Sequence, residues 1–252
     1  MTVGSLFAGI GGFDLGMERS GGFEIAWQIE IDPFCQKVLA KHWPDVARYG
    51  DIRECGAHNL APVDVLCGGF PCQPHSSAGK RQASKDDRDL WPEFARLIRE
   101  LTPQWVLAEN VVGLLSSEGG CFFGTVLRDL AQAGYDAEWC VLSAARLGAP
   151  HLRERVFIVA YPFNTRCTTT RDISTRPIFQ WSQSRWKQGT NRVGRPSESW
   201  GDFWAVESDV CRVAHGVSSR LDRIRGLGNA IVPQCAEYVA RCILAHEIDR
   251  GM

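Results

Sequence analysis

The run Val3-Gly4-Ser5-Leu6-Phe7-Ala8-Gly9-Ile10-Gly11-Gly12-Phe13 starts as a short apolar stretch, turns on closely spaced glycines and leads into an amphipathic segment ending at Arg19. This is the grammar of a strand, a tight turn and a helix. Glycines there let a backbone approach a ligand, and the N-terminus of the following helix favours a carboxylate or phosphate. Glu30 follows Gly12 by 18 residues, at the end of the next apolar stretch. An acid so spaced is placed to accept ribose hydroxyls, as in nucleotide sites of alternating α/β sheets.

Working outward, apolar runs at residues 3–7, 25–30, 63–68, 105–109, 139–143 and 156–161 read as strands. Between them, residues 13–19, 33–42, 91–101 and 122–133 carry the longer period of helices. The alternation predicts a doubly wound, mostly parallel α/β sheet whose ligand crevice lies at the carboxyl ends of the strands. Residues 1–161 form the catalytic and cofactor-binding domain in this reading. A helix over residues 233–246 follows Arg225-Gly226-Leu227-Gly228-Asn229, and residues 212–252 return to complete that domain.

Residues 162–211 differ in texture, being rich in Ser, Thr, Arg, Gly and Trp without a sustained period. Trp181, Trp186, Trp200 and Trp204 argue for a small loop-rich insert rather than a disordered tract, since disordered tracts are poor in aromatics. The net charge of −1 hides an asymmetry: residues 151–226 hold 13 Lys and Arg, twelve of them arginines, against 7 Asp and Glu. Arginine suits bidentate phosphate contacts and guanine edges. The ten cysteines are scattered, and no Cys-x-x-Cys pair occurs, so neither a disulfide scaffold nor a structural zinc site is expected. The sequence opens without a basic and apolar leader, carries no run of 18 apolar residues, and is read as soluble and cytoplasmic.

The chemistry concentrates after the third apolar run, in Gly68-Gly69-Phe70-Pro71-Cys72-Gln73-Pro74-His75-Ser76. Cys72 stands between two prolines on a loop at the ligand end of the sheet, a place for a reactive residue rather than a core cysteine. Glu109-Asn110-Val111 ends the neighbouring strand and brings a carboxyl group to the same crevice.

The glycine turn, Glu30, Asp51-Ile52, Pro71-Cys72-Gln73, Leu90, Glu109-Asn110-Val111, Arg153-Glu154-Arg155 and Gly228-Asn229-Ala230 occur in one order. In that order the sequence resembles the cytosine-carbon-5 DNA methyltransferases, particularly compact bacterial and phage-like members. The resemblance implies an S-adenosyl-L-methionine-dependent enzyme that methylates carbon 5 of a cytosine flipped out of duplex DNA. Carbon 5 is too weak a nucleophile by itself, and a thiolate added at carbon 6 activates it. Cys72 would supply the thiolate, Glu109 would hydrogen-bond or protonate the ring nitrogen, and Arg155, with Arg153 beside it, would hold the base carbonyl or a flanking phosphate. Ser76, Asn110 and Arg155 are the implied substrate contacts. Phe7, Gly9, Gly11, Glu30, Ile31, Asp51, Ile52, Leu90 and Asn229 are the implied cofactor pocket, with Glu30 on the ribose, Asp51 on the exocyclic amine and Ile31 and Ile52 flanking adenine.

The resemblance also implies duplex DNA as partner, no membrane, no metal, a monomer, and room for a companion restriction endonuclease acting separately. His151 stands where the family usually carries Gln, and residues 162–211 are short for a target-recognition region. Two other readings share the sequence. An RNA (tRNA) cytosine-5 methyltransferase would keep every catalytic residue, whereas a non-catalytic DNA-binding regulator has no need of Cys72, Glu109 and Arg155 together.

Overall fold

The computed structural model describes residues 1–71, 89–163, 178 and 220–249. Seven strands, β1 (Thr2–Leu6), β2 (Glu24–Ile29), β3 (Ala47–Tyr49), β4 (Val65–Gly69), β5 (Trp105–Val111), β6 (Tyr135–Ser143) and β7 (Glu154–Pro162), form one sheet in the order β3-β2-β1-β4-β5-β7-β6. All neighbours from β3 to β5 pair parallel, while β7 runs antiparallel between β5 and β6. The helices are α1 (Gly12–Arg19), α2 (Pro33–His42), α3 (Trp91–Leu101), α4 (Cys121–Gln132), α5 (Arg220–Asn229) and α6 (Pro233–Asp249).

Strand periodicity distributes the core over both faces of the sheet. On β5, Val106 and Ala108 join a cluster with Phe94, Leu97 and Ile98 of α3 and Val126 and Leu130 of α4. Trp105 and Leu107 point the other way, into a cluster with Phe13 and Met17 of α1 and Ala236, Val239 and Ile243 of α6. The α3 sequence meets this need with Trp91, Phe94, Ala95, Leu97 and Ile98 buried on one side and a Pro in its first turn.

Two glycines decide how closely α6 approaches α1. A Cβ on Gly12 would collide with the carbonyl of Ile231, and one on Gly16 with the carbonyl of Pro233 and with the Ala236 Cβ at 2.6 Å. Their spacing of one helical turn leaves a bare stripe against which the start of α6 lies. That contact delivers Asn229 and its neighbours to the turn after β1.

Most helix bounds read from the sequence agree with the structure, α2 and α3 to the residue. The strand read at 139–143 starts earlier, at Tyr135, and two elements escape the reading. The three-residue strand β3 carries Ala47, Arg48 and Tyr49, too short and too polar to register as an apolar run, yet it pairs with β2 along its whole length. The sequence reading places no helix over Arg225-Gly226-Leu227-Gly228, whereas these residues belong to α5. Gly226 is buried there, where a Cβ would come within 3.2 Å of Ile10, so a small residue seats the helix on the glycine turn. The insert at residues 162–211 lies almost wholly outside the described residues, as do Cys72 and Ser76.

Candidate active site

Connections leave β1 and β4 toward opposite sides of the sheet, and the carboxyl ends of these neighbours therefore open a crevice. A cavity of about 480 Å³ occupies it, walled by the ends of β1, β2, β4 and β5 and closed by α5. Phe7, Gly9, Glu30, Ile31, Asp51, Ile52, Leu90, Glu109, Asn110, Arg155 and Asn229, all singled out in the sequence, line this one space.

At the β1–β2 end the geometry is fixed by backbone. Phe7 has a left-handed φ of 51° and turns the chain sharply as β1 ends, and Gly9 and Gly11 follow at φ 56° and 85°. A non-glycine residue there costs on the order of 1 kcal/mol or more and persists only where its surroundings hold it. Glu30 provides part of that hold. Its Oε2 accepts from the Gly9 amide at 2.7 Å and its Oε1 from the Asp32 amide at 2.8 Å. Its own amide donates to the Tyr49 carbonyl at 3.0 Å, and its carbonyl accepts from Gln36 Nε2 at 2.6 Å. Each carboxylate oxygen retains a lone pair for a ligand hydroxyl. Asp51 likewise spends Oδ1 on the Arg53 amide at 2.9 Å, capping a short 3-10 turn at Ile52–Glu54, and faces the cavity beside Ile52. Gly11 does not line the cavity; it sits at the N-cap of α1.

At the β4–β5–β7 end a charged pair takes over. Glu109 is 8% exposed, and its Oε1 lies 3.1 Å from Arg155 Nε on the neighbouring antiparallel strand. Burial pushes the Glu109 carboxyl up to about 7, with Arg155 and then Arg153 pulling the other way. Gly69 makes this position possible, since a Cβ there would stand 2.8 Å from Glu109 Oε2. Pro71, the residue before Cys72, lines the same end.

Two residues singled out for substrate or chemistry are turned toward the protein. Asn110 is buried, its Nδ2 donating to the Phe70 carbonyl at 3.0 Å and its Oδ1 accepting from the Val111 amide at 2.8 Å. It braces the chain two residues before Cys72. Arg153 lies off the cavity wall, with its guanidinium on the carbonyls of Gly228 and Ala230 at 2.8 and 2.6 Å. Sequence reasoning missed Asp32, Asp222 and Arg225 in the lining. Asp32 was legible as the acid before a proline-initiated helix, where it accepts from the Phe34 and Cys35 amides at 2.8 and 3.1 Å. Asp222 and Arg225 were hidden because α5 does not declare itself as a helix in the sequence.

The strand order with its one antiparallel insertion, and the cavity at its reversal point, define the fold class of S-adenosylmethionine-dependent methyltransferases. The chain belongs to the C-5 cytosine-specific DNA methylase family, whose model matches residues 1–212. It is similar to the Type II methyltransferase M.NgoMIV of Neisseria gonorrhoeae, 40% identical over 154 residues that cover 61% of this chain and 49% of that protein. With the Type II methyltransferase M1.ScrFI of Lactococcus lactis subsp. cremoris it shares 37% identity over 236 residues, 92% of this chain and 58% of that one. A solved prophage-encoded chain from E. coli, described as a DNA modification methyltransferase, superposes with a TM-score of 0.57 at 27% identity, covering 69% of this chain and 50% of that chain. The chain thus spans about half the length of the curated relatives it matches.

Proposed function

We propose that this protein transfers a methyl group from S-adenosyl-L-methionine to carbon 5 of cytosine in duplex DNA, through a covalent adduct with Cys72. The observation that carries this reading is the single cavity with two unlike ends, one suited to a nucleoside and the other holding a buried carboxyl paired with an arginine.

The cofactor end fits its ligand by the chemistry of its donors and acceptors. Glu30 offers acceptors for ribose hydroxyls, Asp51 an acceptor for an exocyclic amine, and Phe7, Ile31 and Ile52 apolar faces for the adenine. The bound cofactor supplies the electrophilic methyl group, and everything else falls to the protein. With Cys72 added at carbon 6, charge builds on the ring nitrogen, and a Glu109 carboxyl pushed up to about 7 holds a proton near neutrality that it can share there. Arg155 beside it orients the carboxyl and presents its remaining N–H groups to the base carbonyl or a flanking phosphate. Asn110 fixes the backbone at Phe70, which leads toward Cys72. A cytosine in a stacked duplex cannot enter a crevice bounded by four strand ends, so it must be flipped out. The arginine-rich residues 162–211 are the natural target-recognition module, and residues 220–249 complete the catalytic domain.

Transfer of a tritiated methyl group to duplex DNA and to tRNA tests the assignment. Labelling of the 5-position of cytosine in duplex DNA is expected. Labelling of tRNA alone would move the activity to RNA, and labelling of neither would leave a regulator that retains the pocket.

A further inference from the structure

Arg153 is one of four non-glycine residues with positive φ among the described residues, at φ 31°. Its backbone is pinned on one side: the carbonyl of Leu152 accepts from the Ala144 amide at 2.9 Å and from Ser143 Oγ at 2.8 Å, where β6 ends. Its side chain is pinned on the other by the carbonyls of Gly228 and Ala230. These carbonyls flank Asn229 at the C-terminal end of α5, where helix carbonyls lack intrahelical donors and the helix dipole favours a cation. One guanidinium nitrogen, Nη2, donates to both carbonyls. A strained residue held from both directions marks a built feature rather than a solvated surface arginine.

We propose that Arg153 is a positioning residue for the methyl-donor pocket. It holds Asn229 against the cavity through the carbonyls on either side and does not touch the cytosine. The proposal rests on the cofactor reading above. It also divides the paired arginines of Arg153-Glu154-Arg155 by task. Arg155 reaches across to Glu109 on β5, whereas Arg153, one step outside the strand, reaches α5. One short stretch of chain therefore ties the wall of the cofactor end to the charged pair at the base end.

The two roles separate in steady-state kinetics. A group acting on the base lowers kcat, while a group that only shapes the cofactor pocket raises KM and the dissociation constant with kcat at saturation kept. S-adenosylhomocysteine binding by calorimetry, with KM and kcat on duplex DNA, is to be measured for the wild type, Arg153→Ala and Arg153→Lys. Arg153→Ala should weaken S-adenosylhomocysteine and raise KM for the methyl donor by about 10- to 100-fold, the scale of lost hydrogen bonds to a charged group. Its kcat at saturating donor should stay within about threefold of wild type, the mark of binding lost without loss of chemistry. Arg153→Lys, which keeps the charge on a shorter side chain without the planar guanidinium, should fall between the two and decides the matter if Arg153→Ala does not fold. Wild-type affinity in the variants, or a collapse of kcat with KM unchanged, overturns the proposal. A wild type that does not bind S-adenosylhomocysteine overturns the cofactor reading itself.

Discussion

The two ends of the cavity are built on different principles. Glu30 is locked through its carboxylate, its amide and its carbonyl, in each case with main-chain or α2 partners from the same half of the sheet. Glu109, by contrast, has one ion-pair partner among the described residues, Arg155, and lies so deeply buried that its protonation is in play near neutral pH. A rigid acceptor suits a ligand that only has to be bound. A carboxyl with an adjustable proton suits one whose charge changes as it reacts.

The largest effect expected from breaking this contrast comes at the base end. Glu109→Gln keeps the shape and a hydrogen bond but cannot pass a proton, and kcat should fall by about 10²- to 10⁴-fold, the usual worth of a general acid. The sign of the pH dependence follows from the direction of the shift. A Glu109 held up to about 7 is protonated below that pH, so wild-type activity that needs the proton should decline as pH rises through about 7, and the Glu109→Gln profile should lack that limb. Stability moves the same way, because between the ordinary carboxyl value of 4.5 and about 7 the folded chain holds a proton that the unfolded chain has released. Glu109 therefore costs stability increasingly across that window, and wild type should lose more stability than Glu109→Gln when unfolding is followed from pH 5 to pH 8.

At the cofactor end the expected effect is smaller and of another kind. Glu30→Ala should raise the dissociation constant for S-adenosylhomocysteine by about 1 to 3 kcal/mol, the range for hydrogen bonds to a charged group, and should leave the pH profile with its limb near 7. Unchanged affinity by calorimetry would place the nucleoside elsewhere.

How much of this was legible in the sequence follows the same division. The cofactor end is local: a glycine turn and an acid 18 residues on declare themselves within the first 30 residues, and Asp51 follows from the resemblance. The sheet class was legible from alternation for the same reason. The base end was legible as motifs but not as contacts. Asn110 meets Phe70 because β4 and β5 pair in parallel register, whereas Glu109 meets Arg155 because β7 inserts between β5 and β6 and Arg153 meets Gly228 because α5 folds back, and no local period encodes these events. Low helix propensity also hid α5, where Gly226 packs closely against Ile10 and Phe34. β3 was invisible because three residues cannot display a period.

The smallest effects belong to the recognition proposal for residues 162–211. Between residues 163 and 195 there are seven cations, including Arg171, Arg176 and Arg185, against one acid, Asp172. If these contact phosphates, each neutralising substitution should flatten the salt dependence of duplex binding by roughly one unit of slope and weaken binding about equally across sequences. An unaltered slope and methylation pattern in the triple substitution would assign recognition to the loop after Cys72.

The central claim, that Cys72 attacks a cytosine presented to this cavity, is tested most directly by trapping. In the presence of S-adenosylmethionine, duplex DNA carrying 5-fluorocytosine should form a denaturation-resistant adduct with the wild-type protein, because fluorine blocks the final elimination. Cys72→Ser should bind S-adenosylhomocysteine normally and form none, since the hydroxyl is similar in size but a far poorer nucleophile near neutral pH. An adduct with Cys72→Ser, or none with a wild type that methylates ordinary cytosine, would contradict the account.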